Sequence, residues 1–172
     1  MKDTPQKTLI FLGVVLVALI GTFLYFLDHA PRGNTDTGFK DYLGVGGNFE
    51  LISYDDQRIN TEIFKNQYKL IYFGFTYCPA ICPTELQKMA GVMQDLPNEI
   101  AQQIKPMFVT LDPERDTPQV LKEYLNLFPA DILGMTGSVE QIKAVKDLYK
   151  IYSSKVYEEG ASEYTVDHSS YL

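Results

Sequence analysis

Hydrophobic and polar positions divide the chain into three stretches. From Thr8 to Leu27 the run TLIFLGVVLVALIGTFLYFL holds 20 residues without a charge. At about 1.5 Å per residue, a helix of that length covers about 30 Å, the depth of a bilayer core. A cleaved export signal has a shorter apolar stretch, about 7–15 residues, that ends in small residues. Phe26-Leu27-Asp28-His29 offers no such cut site. The pattern predicts a retained single-pass transmembrane helix over 8–27, after a short leader over 1–7. Lys2 and Lys7 ahead of the span put the leader in the cytoplasm and the remainder outside. Residues 28–44 carry Pro, Gly, Asn and Asp without periodicity and read as a tether.

The third stretch, 45–172, alternates between strand and helix patterns. Phe49 to Ile52 is an extended entry segment, and Tyr68 to Phe75 is a near-continuous apolar run rich in β-formers, as in a strand buried on both faces. Leu86, Met89, Ala90, Met93 and Leu96 then recur at helical spacing. Lys105 to Leu111 is a second buried strand, and Ile132 to Thr136 a third. Thr117-Pro118 is an N-cap followed by Pro at the first helical position, with Leu121, Tyr124, Leu125 and Phe128 facing inward. Ser138 and Gln141 form a capping box ahead of Ile142, Val145 and Tyr149. Such alternation predicts an α/β domain on a mainly parallel sheet.

Composition narrows the chemistry. Of 172 residues, 45% are hydrophobic and 22% charged, as in a folded domain. A net charge of −7 argues against nucleic-acid binding, which needs a basic face. Two Cys and two His exclude a disulfide framework and a four-thiolate zinc site. Gly44-Val45-Gly46-Gly47 leads into an extended segment rather than a helix, so it is not a phosphate loop, and no small-molecule substrate is expected. The seven-residue leader is too short for an organelle transit peptide. The expected location is the bacterial inner membrane with the domain in the periplasm; the mitochondrial inner membrane is the secondary expectation.

Where the first buried strand ends lies Thr76-Tyr77-Cys78-Pro79-Ala80-Ile81-Cys82-Pro83. Ligands of such sheets are handled at the strands' carboxyl ends. Spacing of four brings Cys78 and Cys82 to one side of a helical turn, near an N-terminus whose dipole favours thiolate. Pro79 suits a first helical position, while Pro83 requires the turn to be irregular or to restart there. Two such sulfurs can form a disulfide, exchange disulfides with another protein, or hold a soft metal. A purely structural disulfide is disfavoured, because closing three intervening residues constrains the unfolded chain little. His168, entering a late strand, would complete a set of two thiolates and one imidazole. Sulfur favours Cu(I), whereas zinc would want a fourth ligand, for which Asp167 or Asp112 is the candidate.

Gly74 to Leu86, Asp112-Pro113-Glu114-Arg115-Asp116-Thr117-Pro118 and Val166-Asp167-His168-Ser169 resemble the three signature blocks of the SCO/SenC proteins, and Gly46-Gly47-x-Phe49-x-Leu51 is similar to their entry strand. The resemblance runs from about Gly46 to Leu172. It implies a membrane-tethered, thioredoxin-like copper metallochaperone that serves the CuA-bearing subunit of cytochrome c oxidase. It also implies Cys78, Cys82 and His168 as copper ligands, with Cys78 and Cys82 as a redox disulfide and no enzymatic turnover. Two departures stand out: Ala80 replaces a residue usually acidic in the family, and the closing strand pair and helix are expected to be missing after Leu172. Marginal stability of residues 28–172 alone follows as an expectation.

The Asp112–Asp116 loop reads equally as a neighbour of the cysteine site, with Asp112 or Arg115 tuning its charge, and as plain loop chemistry before a capped helix. Met89 and Met93 share the inner stripe of Leu86 and are expected in the core. The alternative function is a membrane-tethered thiol–disulfide oxidoreductase acting on exported protein thiols. Its usual C-x-x-C spacing is exceeded here by one residue, and no proline follows Pro129 to face the cysteines.

Overall fold

The computed structural model describes residues 44–157 and 163–169, together with 13, 15, 16, 18–22 and 25 near the N-terminus. The chain divides into two units, Met1–Tyr42 and Leu43–Leu172. In the first, the described residues are helical and exposed. Among the described residues no helix is long and apolar enough to cross a membrane. The anchor expected over 8–27 falls in large part, and the tether over 28–44 except Gly44, outside the described residues.

In the second unit the elements run β1 (Glu50–Ser53), β2 (Arg58–Asn60), a 3-10 turn (Thr61–Phe64), β3 (Tyr68–Gly74), α1 (Ile81–Asp95) and α2 (Asn98–Ala101). There follow β4 (Ile104–Thr110), α3 (Pro118–Leu125), β5 (Leu133–Thr136), α4 (Val139–Tyr149), β6 (Ser153–Val156) and β7 (Thr165–His168). A five-stranded sheet has the order β2-β1-β5-β4-β3, and β6 and β7 form a separate two-stranded sheet. Strands β3, β4 and β5 run parallel, while β1 is antiparallel to both of its neighbours. The expected α/β class holds, with a mixed sheet that is parallel over β5-β4-β3 and antiparallel over β5-β1-β2.

Both faces of the sheet are covered along most of β4 and the last three residues of β3. Residues 68–71, at the start of this edge strand, are exposed or half-buried, which corrects the expectation of burial along its whole length. Tyr72 and Phe108, paired in register, pack at 6.1 Å, and Phe108 meets Tyr124 of α3 at 6.0 Å. On the other face Phe73 meets Tyr149 of α4 at 5.3 Å. Leu86, Met89 and Ala90 of α1, Leu121 and Leu125 of α3, and Ile142 and Val145 of α4 are buried against it. Truncating any of these large aliphatic side chains to Ala would cost about 2–5 kcal/mol. Met89 lies in the core as the helical stripe requires, whereas Met93, one turn further along, is only half-buried and outside it.

The caps form as read. Thr117 Oγ1 accepts from the Val120 N–H ahead of Pro118. Ser138 Oγ accepts from the Gln141 N–H at 3.2 Å, and Gln141 Oε1 accepts from the Ser138 N–H at 2.8 Å.

One register sets up the site. Gly74 at the end of β3 stands beside Thr110 at the end of β4, and the Leu111 N–H extends the ladder by donating to Gly74 O at 2.7 Å. The loops after β3 and β4 therefore leave the same edge as neighbours.

Candidate metal centre

The loop after β3 carries the cysteines. Asp116, fully buried, ties it down: one carboxylate accepts from the Thr76 N–H at 3.0 Å, Thr76 Oγ1 at 2.6 Å and Thr110 Oγ1 at 2.6 Å. Burial raises the Asp116 pKa, and those donors pull against the rise. Three donors on one acceptor fix where the chain turns toward Cys78.

Helix α1 starts at Ile81, later than Pro79 predicts. Cys78 lies before the helix and Cys82 within its first turn, so the two do not share a regular helical turn. Pro83 is the third helical residue, where a backbone N–H has no intrahelical partner to lose, and neither an irregularity nor a restart is needed. No oxygen caps the helix from Ala80; instead the Cys82 N–H donates to Cys78 Sγ at 3.3 Å. The sulfur takes the place of a capping side chain, and this fixes its position over Cys82.

The two sulfurs sit at different depths. Cys82 is fully buried and Cys78 partly so, and both are free thiols. Burial pushes the Cys82 thiol up to about 12, opposed by the nearby Tyr72 hydroxyl. Cys82 fits because residue 74 is glycine: a Cβ there would come within 2.9 Å of Cys82 Sγ, 3.0 Å of the Tyr72 ring and 3.1 Å of the Phe108 ring.

His168 arrives from the far end of the chain. Strand β7 pairs antiparallel with β6, with Ser153 opposite His168 and Lys155 opposite Val166. Val166 is buried, and alternation along the strand sends Asp167 to the other, exposed side. The imidazole meets the Phe75 ring edge-on at 5.8 Å. Its Nδ1 is 3.0 Å from Ser169 O, a carbonyl that can only accept, which places the ring proton on Nδ1. The Nε2 lone pair is then free, and Nε2 stands 4.0 Å from Cys82 Sγ across 86 residues of sequence.

That separation suits a shared ion. Bonds of about 2.3 Å to sulfur and about 2.0 Å to imidazole nitrogen, as at zinc, put two donors about 3.7 Å apart at a trigonal angle. Among the described residues no group of three or more His, Cys, Asp or Glu side chains is already closed to metal-binding spacing. A movement of a few tenths of an ångström would bring the nitrogen and the sulfur to that separation.

Neither fourth-ligand candidate takes part. Asp167 faces away from the sulfurs' side of β7. Asp112, 1% exposed, forms an ion pair with Arg115 and accepts from the Tyr164 hydroxyl at 2.8 Å. Two thiols and one imidazole without a carboxylate are a soft donor set, which favours Cu(I) over zinc.

Sequence reading gave the three candidate ligands but not the residues that hold them. Asp116 belongs to a loop that reads equally as a neighbour of the cysteines and as loop chemistry, and its role depends on Thr76, just past β3, and Thr110, at the end of β4. Gly74 carried a usable signal, since glycine inside a strand marks a close approach.

Comparison with known proteins adds the family. The model described as SCO1/SenC matches residues 40–172. The SCO2-like protein of Rickettsia felis is 40% identical over 173 residues, covering 96% of this chain and 84% of that one. The structure of Bradyrhizobium japonicum ScoI with copper bound is similar at a TM-score of 0.68 and 33% identity, over 73% of this chain and 79% of that one. Arabidopsis thaliana ScoI with copper bound gives a TM-score of 0.68 at 41% identity, over 73% and 78%. The fold is the mixed α/β, thioredoxin-like one that these proteins share.

Proposed function

We propose that this chain, which belongs to the SCO1/SenC family, is a copper metallochaperone that delivers copper during assembly of cytochrome c oxidase, to the CuA site of its acceptor subunit. The observation that carries the reading is the approach of His168 Nε2 to 4.0 Å from a buried thiol that is itself covered by a second cysteine. Similarity to ScoI structures holding copper supports it.

Copper(I) is the cargo. Cys78 and Cys82 supply thiolates and His168 a neutral nitrogen. Three ligands leave a position through which an acceptor thiolate can enter and replace them in turn. Cys78, the outer sulfur, would leave first, on the side where Tyr77 and Ile81 are exposed. Exchange with an external disulfide, which is reduced to two thiols as it takes up the two electrons and two protons, would join Cys78 and Cys82 and remove both sulfur ligands. The anchor over 8–27, the tether over 28–44 and the position of 45–172 in the periplasm of a bacterial inner membrane complete the proposal.

Thiol–disulfide exchange on exported protein thiols is the second reading. It is favoured by one feature, an accessible Cys78 directly over a second free thiol. Copper stoichiometry of the reduced chain, wild type beside His168→Ala, separates the two when measured with insulin reduction. One Cu(I) per chain, bound more weakly in His168→Ala, with negligible insulin reduction, is the expected result. Strong insulin reduction with copper binding indifferent to His168 would favour the oxidoreductase.

A further inference from the structure

The hairpin that carries His168 is not part of the main sheet, so something else must hold it beside the cysteines. Its apolar hold is Val166, buried in the core. Its polar holds include the Lys155–Glu114 ion pair and Lys146 Nζ donating to Ser153 O at 3.2 Å, but the hold that reaches the cysteine loop is Arg115. The Arg115 guanidinium carbon lies 3.9 Å from the centre of the Tyr164 ring and 4.7 Å from that of the Tyr77 ring. Arg115 Nη1 also donates to Tyr164 O at 2.9 Å, and Nε pairs with Asp112. Asp112 in turn accepts from the Tyr164 hydroxyl. Tyr77 immediately precedes Cys78, and Tyr164 immediately precedes β7. One cation thus bridges the loop bearing the sulfurs and the strand bearing the imidazole.

The chemistry suits arginine alone. A planar guanidinium stacks on rings while its edge makes directed hydrogen bonds, and it stays charged at any pH the protein meets. Lysine has neither the plane nor the fork. Arg115 is also mostly buried, with 16% of its side chain exposed, so its contacts with the rings and Asp112 are little screened by water.

We propose that Arg115 is a positioning residue that clamps the His168 hairpin against the cysteine loop, and so decides whether the imidazole joins the two sulfurs on copper. This rests on the three-ligand reading above. Without Arg115 the thiolates remain and the nitrogen is lost to the site, leaving a two-sulfur centre that holds Cu(I) less tightly.

The test combines a metal-free readout with a double-mutant cycle in the full chain. In the metal-free reduced protein, Arg115→Ala should speed amide exchange of 153–156 and 165–168 about tenfold or more, leaving β4 unchanged. Arg115→Lys should not restore protection. Cu(I) affinity, read by competition with a chromophoric chelator, should fall by the same factor in Arg115→Ala and His168→Ala, and no further in the double variant. Additive losses, or hairpin exchange that does not change, would overturn the clamp. Equal loosening of β4 would do so too, since the effect would then be on general stability. Should Arg115→Ala fail to fold, Tyr164→Leu removes the ring contact and the hydroxyl's bond to Asp112, keeps the Arg115–Asp112 ion pair, and is read the same way. If His168→Ala leaves copper affinity untouched, the three-ligand reading falls, whereas the exchange result still decides the clamp.

Discussion

Cys78 covers Cys82: the outer sulfur accepts the inner residue's backbone N–H at 3.3 Å, while the inner sulfur lies out of reach of solvent. The pair is therefore unequal. In the metal-free reduced protein an alkylating reagent should modify Cys78 at least tenfold faster than Cys82, because the inner thiol is buried and its pKa is raised to about 12. Mass spectrometry of timed peptide digests checks this. Equal rates would mean that the inner thiol is accessible.

Copper affinity should rise with pH. The Cys82 thiol holds its proton across the physiological range and must release it to bind a metal. That group alone should make apparent Cu(I) affinity increase about tenfold per unit between about pH 6 and pH 9.

Stability of the metal-free protein should run the other way. The Cys82 value is raised from 9.0 in the ordinary thiol to about 12 in the folded chain. Its contribution is full below pH 9.0 and is lost as pH climbs toward 12. Urea midpoints across that range should fall, and less steeply in Cys82→Ala.

Gly74→Ala should disturb the site without replacing a ligand. The added methyl group meets the Cys82 sulfur at 2.9 Å and two aromatic rings close by. Overpacking of this kind costs about 1–3 kcal/mol. Chemical denaturation should show that loss, accompanied by weaker Cu(I) binding.

Asp116→Ala removes the acceptor of three hydrogen bonds at once and leaves the buried Thr110 and the half-buried Thr76 without their acceptor. A loss of about 3 kcal/mol is expected by urea unfolding. Unchanged stability would show that water replaces the carboxylate at no cost.

Much of this was legible beforehand for local reasons. Strands β3 and β4 declare themselves by apolar runs of β-formers, and α3 and α4 because Thr117-Pro118 and Ser138…Gln141 cap them through neighbours in sequence. What the sequence hides is non-local. Strand β6, Ser-Ser-Lys-Val, is short and mostly polar, and it becomes a strand only because β7 pairs with it. The start of α1 was misplaced at Pro79 because no propensity rule provides for a sulfur as the cap. Arg115 reads equally as a charge beside the cysteines and as ordinary loop chemistry, and its clamping role stays hidden because its ring partners lie 38 residues before it and 49 after it.

The most direct measurement is copper-edge X-ray absorption of the reduced chain loaded with one Cu(I), wild type against His168→Ala. Two sulfur scatterers and one nitrogen in the wild type, with the nitrogen lost in His168→Ala, is the predicted outcome. Identical spectra from the two proteins would contradict the account.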